Sequence, residues 1–184
     1  MKSYEKFSRI NRREIREATT TDLRATCRQF GPDLPDLSHN GAPCDKGLVL
    51  WALAAVESTY GRDRQHRRVE PSYMPGGEEY RRSPQIRSLW ARWGEEGASS
   101  YGAWQMMYAT ALDLGFAGPP EGLIPDEVLA PLVVAYVHRS GALVLADVAD
   151  AYNSGNYRDV FRPLEYMAKV VVAYELGWNA GPTV

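Results

Sequence analysis

Asp45 to Ser58 reads DKGLVLWALAAVES, and this stretch decides the fold. Asp45 is a side-chain acceptor placed to cap a helix at its N-terminus. From Lys46 the chain is apolar almost all round: Leu48, Val49, Leu50, Trp51, Leu53, Ala54 and Val56. A helix apolar on every side is buried on every side. The spacing predicts a helix from Lys46 to about Tyr60, with Gly61 as its stop. Glu57 breaks the apolar run near its end.

Working outward, Tyr4, Phe7, Ile10 and Ile15 recur at helical spacing among charged residues, and Leu23, Cys27 and Phe30 do so again. Gly31-Pro32 stops the second segment, and residues 31–44 read as loop. Residues 62–82 lack helical periodicity and read as an inserted loop, with room for a small β-ribbon within 62–100. Ser83-Pro84 is a cap followed by Pro at the first helical position, opening a helix whose face is Ile86, Leu89, Trp90 and Trp93. Residues 95–101 read as a polar turn, and Ala103–Leu114 as a helix. Further helices are expected from Pro125 to about Arg139, from Ala142 to Ala151, and from Pro163 to Leu176. The expectation is an all-α fold forming one compact unit. Within it, residues 1–45 are an N-terminal helical extension packed on a domain of residues 46–184.

Composition narrows the classes. The chain has 184 residues, 45% hydrophobic, with a formal net charge of −2 and two cysteines. That suits a folded domain with a sizeable core rather than a disordered chain. Two cysteines are too few for a disulfide framework or a four-cysteine zinc module. Cys27 and Cys44 form either a bridge tying the N-terminal helix to the start of the Glu57 helix or two free thiols. His39, His66 and His138 are scattered, so no metal is expected. No phosphate-binding or dinucleotide motif occurs, so no cofactor is expected. Near-neutral charge gives no case for nucleic acid, and no apolar run approaches the roughly 18 residues of a membrane span. A monomer without nucleic-acid or membrane partners is expected. The N-terminus lacks the apolar core of a secretory signal.

Three segments carry chemistry. Glu57 ends a buried helix, where apolar burial and the negative end of the helix dipole both disfavour a carboxylate. Either it reaches water there, or it is an acid that stays protonated near neutrality, as cleavage of a glycosidic bond requires. In the second segment, Ser99 to Met107, Gly102 permits a tight turn, Gln105 offers a neutral donor and acceptor for sugar groups, and Met107 offers an adaptable apolar wall. Core packing of Trp104 and Met107 with an exposed Gln105 is the plain alternative. In the third, Ala151-Tyr152-Asn153-Ser154-Gly155, Tyr152 is either part of a helix end capped by Asn153 or a phenol directed at Glu57 or substrate.

Taken together, these segments resemble the soluble lytic transglycosylases and the goose-type lysozymes. The family's marks appear in order. They are Glu57-Ser58 at the end of a buried helix, Gly102-Ala103-Trp104-Gln105-Met106 for Gly-Leu-Met-Gln-Ile, Ala151-Tyr152-Asn153-Ser154-Gly155, and Tyr166 in the C-terminal helix followed by Val170. The resemblance spans residues 46–176 and implies a lysozyme-like helical fold with a cleft for the peptidoglycan glycan strand. It implies Glu57 as catalytic acid and base, with Ser58, Gln105, Met107, Tyr152, Asn153 and Tyr166 at the substrate. It also implies action on the cell wall, in the periplasm or outside the cell, reached after processing, from a phage, or by another export route.

The chain departs from the family pattern in two places. Ala103-Trp104 replaces Leu-Met, and 44 residues lie between Glu57 and Gly102 where about twenty are usual. Between residues 62 and 92 eight arginines stand against four acids, as a solvated insertion or as a cleft wall for an anionic polymer. Three activities stay open. A transglycosylase needs Glu57 alone. A muramidase needs a second carboxylate, for which the goose-type register points to Glu96. A peptidoglycan-binding structural component needs neither.

Overall fold

The computed structural model describes residues 23–58, 67–154 and 164–179, and these are mostly helical. The first helix, α1 (Leu23–Phe30), leads through a 3-10 turn into a two-residue hairpin, β1 (Ser38–His39) and β2 (Ala42–Pro43). Next come α2 (Lys46–Glu57), β3 (Arg67–Val69), a short α3 (Glu78–Arg82) and α4 (Pro84–Trp93). After them lie β4 (Ser99–Tyr101), β5 (Met106–Met107) and α5 (Tyr108–Asp113), then α6 (Asp126–Ser140), α7 (Leu145–Ser154) and α8 (Leu164–Leu176).

The chain builds α2 as its residues dictate. Asp45 Oδ1 accepts from the Leu48 amide at 3.1 Å, so the cap forms as expected. Val49, Leu50, Leu53 and Ala54 are fully buried. Burying a Leu or Val side chain contributes about 1.5–3 kcal/mol, which fixes α2 as the axis of the molecule. It packs between α1 and α8, α8 packs on α7, and α6 closes against α1 and α7. Gly31 approaches Gly47 so closely that a Cβ on Gly31 would lie 2.5 Å from the Gly47 Cα, which couples the segment after α1 to the start of α2. No disulfide joins Cys27, which is buried, to Cys44, which is half-buried.

Several elements differ from the sequence expectation. The α2 helix ends at Glu57, because Ser58 leaves helical geometry and its amide and hydroxyl both donate to the Ala54 carbonyl, at 2.9 and 2.6 Å. Residues 31–44 hold a hairpin as well as loop, turned by Asn40-Gly41 with both φ positive, the usual requirement of a two-residue hairpin turn. Residues 78–82 are helical. The α7 helix starts at Leu145 and continues through Asn153 to Ser154, so Asn153 is a helical residue and not a cap.

The largest difference lies at residues 95–107. Ser99–Tyr101 is a buried strand rather than a polar turn. It is the middle strand of an antiparallel sheet, order β3-β4-β5, with Arg68 opposite Ser100 and Ser100 opposite Met107. The ribbon expected within 62–100 is therefore present, with a third strand added. The helix expected from Ala103 starts at Tyr108. Residues 102–105 form a tight turn in which the Gln105 amide donates to the Gly102 carbonyl at 3.2 Å. The N-terminal segment with Tyr4, Phe7, Ile10 and Ile15 lies outside the described residues, as do Gly61, His66, Gly155 and Pro163. Among the described residues no helix is long and apolar enough to cross a membrane.

Candidate active site

Glu57 sits on the last turn of α2 and is half-buried. The Tyr166 hydroxyl, from α8, donates to its Oε1 at 2.7 Å. Burial pushes the Glu57 carboxyl above the ordinary carboxylate range. The Tyr166 hydrogen bond and the charge of Arg68 pull it back, and the charge of Glu70 pushes it further up. Tyr166 is itself held far above the usual phenol range by burial first and by Glu57 next, so it stays a proton-bearing donor. The pairing of α2 with α8 thus presents a carboxyl that resists ionisation beside a donor that does not lose its proton.

Tyr152, from α7, stands on the other flank. Its hydroxyl donates to the Trp104 carbonyl at 2.8 Å, and burial followed by the charge of Glu57 raises it well above the usual phenol range. The Tyr136 ring, from α6, meets the Tyr152 ring edge-on at 5.5 Å, and its hydroxyl donates to the Ala151 carbonyl at 2.7 Å. Trp104 is fully buried, and its indole N–H donates to the Leu50 carbonyl at 3.0 Å, which pins the 102–105 turn to α2.

That turn is left-handed at both ends. Gly102 has φ +67° and Gln105 has φ +47°. A non-glycine residue there costs roughly 1–2 kcal/mol. Side-chain bonds hold Gln105 in place: its Nε2 donates to the Gly102 carbonyl at 2.8 Å, and its Oε1 accepts from the Ser100 hydroxyl at 2.9 Å. Gln105 is 8% exposed, not the solvated residue of the plain alternative. Strained backbone of this kind clusters at functional sites.

The sheet sorts the charged residues into two rows, because residues directly opposite in an antiparallel pair share a face and alternate residues do not. One row is Arg68, Ser100 and Met107. Glu70 joins it one step beyond β3: its Oε1 accepts from Arg68 Nε at 2.7 Å and lies 3.1 Å from the Ser100 hydroxyl. This is the row whose charges act on Glu57. The other row holds Arg67, Tyr101 and Met106. Glu96 belongs with that second row: its Oε1 lies 3.9 Å from Arg67 Nη1, and its carbonyl accepts from the Tyr101 hydroxyl at 2.7 Å. The Glu96 side chain is 51% exposed.

The structure thus joins Glu57, Tyr166, Tyr152, Gln105 and Met107 around one region and leaves Glu96 on the far row of the sheet. Ser58 is fully buried with its hydroxyl given to the helix. Asn153 is exposed on the last turn of α7. Four residues that the sequence reading did not single out as site residues also belong to the region: Arg68, Glu70, Ser100 and Tyr73. Tyr73 is raised above the usual phenol range by burial, then by the charges of Glu79 and Glu70. For Arg68 and Glu70 the strand signal was confined to Arg67-Arg68-Val69-Glu70, too short to separate from loop. Among the described residues no cluster of His, Cys, Asp and Glu could hold a metal ion. Comparison with protein-family models, with curated proteins and with solved structures returns no significant match.

Proposed function

We propose that this protein is a peptidoglycan lytic transglycosylase that cleaves the β-1,4 bond between N-acetylmuramic acid and N-acetylglucosamine. The reading carries with it a lysozyme-like fold, and the cell wall as the place of action. One observation carries it: a carboxyl at the end of α2 that the Tyr166 hydroxyl meets 2.7 Å from its Oε1 and that burial pushes above its ordinary value. The order of the four sequence marks supports it. So does the convergence of Gln105 and Tyr152 on the same region.

Glu57 gives its proton to the bridging oxygen as the C1–O bond breaks. The substrate's acetamido group stabilises the positive charge that develops at C1, so one protein carboxyl suffices. Glu57, now a carboxylate, accepts the proton of the muramoyl C6 hydroxyl as that oxygen bonds to C1. The products are a 1,6-anhydro-muramoyl end and a free glucosamine 4-hydroxyl. No water is consumed, and Glu57 ends protonated. Tyr166 serves both halves, because a phenol that keeps its proton steadies the transient carboxylate.

Mass spectrometry of fragments released from purified peptidoglycan tests this, with Glu57→Gln as control. Anhydro-muramoyl ends that disappear in the variant are expected, with a loss of at least the 10²- to 10⁴-fold typical of removing an acid–base group. Fragments that persist in Glu57→Gln would overturn the role of Glu57. Retained binding with no fragments from either protein would leave a peptidoglycan-binding component.

A further inference from the structure

The α8 helix is apolar on two sides, and only one of them is buried. Its inner side, Met167, Val170 and Ala173, packs in the core, where α8 meets α2 and α7. Its outer side carries Leu164, Val172 and Leu176, which are 71%, 47% and 50% exposed, with Ala168 exposed between them. These four residues recur every fourth position and form one stripe about 18 Å long at 1.5 Å per residue. Single exposed apolar residues need no explanation. A full-length stripe on a helix whose other side is already in the core does, because a helix apolar all round is normally covered all round.

We infer that the segment with Tyr4, Phe7, Ile10 and Ile15 lies along this stripe as an amphipathic helix and clamps α8 from outside. Helical spacing puts those four residues within one arc of about 140°, and Arg9, Arg12, Arg13 and Arg16 on the opposite side. The two faces match in length, since Tyr4 to Ile15 spans about 17 Å of helix. The start of α1 lies near the end of the stripe. Arg24 stacks 5.2 Å over the Trp51 ring, and Trp51 stands 6.2 Å from Trp178, which follows Leu176 by two residues. Residues 16–22 reach up to about 24 Å when extended, enough to turn back from α1 onto α8. Residues 1–22 carry six basic and four acidic side chains, and α8 presents Glu165 and Glu175 against Lys169, so the charges are complementary. Four side chains fall short of the roughly 1,200 Å² that a stable contact between separate chains buries. A tethered segment docks on so small a face because its effective concentration is high. Tyr166 on α8 donates to Glu57, so the clamp steadies the helix that supplies this bond. Docking of this kind is independent of the reaction at Glu57.

Photo-cross-linking of the full chain, with a benzophenone side chain in place of Phe7, tests the contact by peptide mass spectrometry. A cross-link within one chain to Leu164–Leu176 is expected. Hydrogen exchange gives a second readout. In the double variant Phe7→Asp with Ile10→Asp the amides of α8 should exchange about tenfold faster than in the wild type. Those of α6 should keep their rates, which shows that the variant folds. Arg12→Ala with Arg13→Ala, on the charged side, should leave α8 unchanged. A cross-link elsewhere in the chain, or none, would overturn the clamp. So would exchange in α8 that the double variant moves less than about twofold. Cross-links between two chains would overturn it in favour of a dimer face. Binding to phosphatidylglycerol vesicles that is lost in the double variant, with α8 unchanged, would overturn it in favour of a membrane surface.

Discussion

Gly102→Ala probes the turn that carries Trp104 and Gln105 beside the site. Two costs add. Gly102 has φ +67°, and a Cβ in left-handed backbone costs about 1–2 kcal/mol. The new methyl also falls far inside van der Waals contact with Leu129 Cδ1, while the Ile124 and Leu123 carbonyl oxygens stand at an ordinary 3.4 Å. Leu129 is fully buried on α6, so relief requires it to leave its packed position, an overpacking cost of about 1–3 kcal/mol. The sum is roughly 2–5 kcal/mol, a large share of the stability of a domain this size. Gly115→Ala separates the two costs: Gly115 has φ +95° but nothing within 4 Å of an added Cβ, so it should show the backbone cost alone. Urea unfolding of both variants measures the difference, expected at about 1–3 kcal/mol against Gly102→Ala. In a Leu129→Ala background the extra cost at residue 102 should vanish. Equal destabilisation by the two glycine substitutions would refute the steric argument.

Two further predictions concern the acid. Tyr166→Phe removes a bond that holds the Glu57 carboxyl down, so Glu57 should stay protonated to higher pH and the alkaline limb of the kcat/KM profile should move upward. A limb that stays put or moves down would refute this. Glu57→Gln tests the same burial through stability. The folded-state pKa of Glu57 lies above its ordinary value of 4.5. Its contribution to stability is therefore complete below about pH 4.5 and is lost as pH rises through the raised folded value. The groups facing it are Tyr166, Tyr152, Arg68 and Glu70. The melting temperature of Glu57→Gln should gain on that of the wild type between pH 4 and pH 8, and a gap independent of pH would count against a buried acid.

Much of the helical frame was legible along the chain, because its signals are local. The apolar run from Leu48 to Val56 could only be a buried helix, and Asp45 and Ser83 cap α2 and α4 as their positions suggest. Glu57 stood out because a carboxylate at the end of such a helix is out of place in energy as well as in pattern. Gln105 and Tyr152 could be picked by residue type and neighbours. How they are held could not. A helix starting at Ala103 was a fair reading of periodicity, but Trp104 finds its partner at Leu50, 54 positions away, and that contact belongs to a turn.

The placement of Glu96 and Glu70 on opposite rows of the sheet shows where the sequence stops. Both are acids in polar, irregular stretches, and counting back from Gly102 favours Glu96. The decision belongs to the register of three strands of only two or three residues, in which Arg68 pairs with Ser100 and Arg67 with Tyr101. A shift of one residue would exchange the rows and send Glu70 to the far face. Strands this short carry too little alternation to specify register themselves. Sequence alone determined a buried helix ending in an acid. The tertiary structure decided which charged side chains share a sheet face with Ser100, because only pairing between segments some thirty residues apart fixes which face a side chain takes.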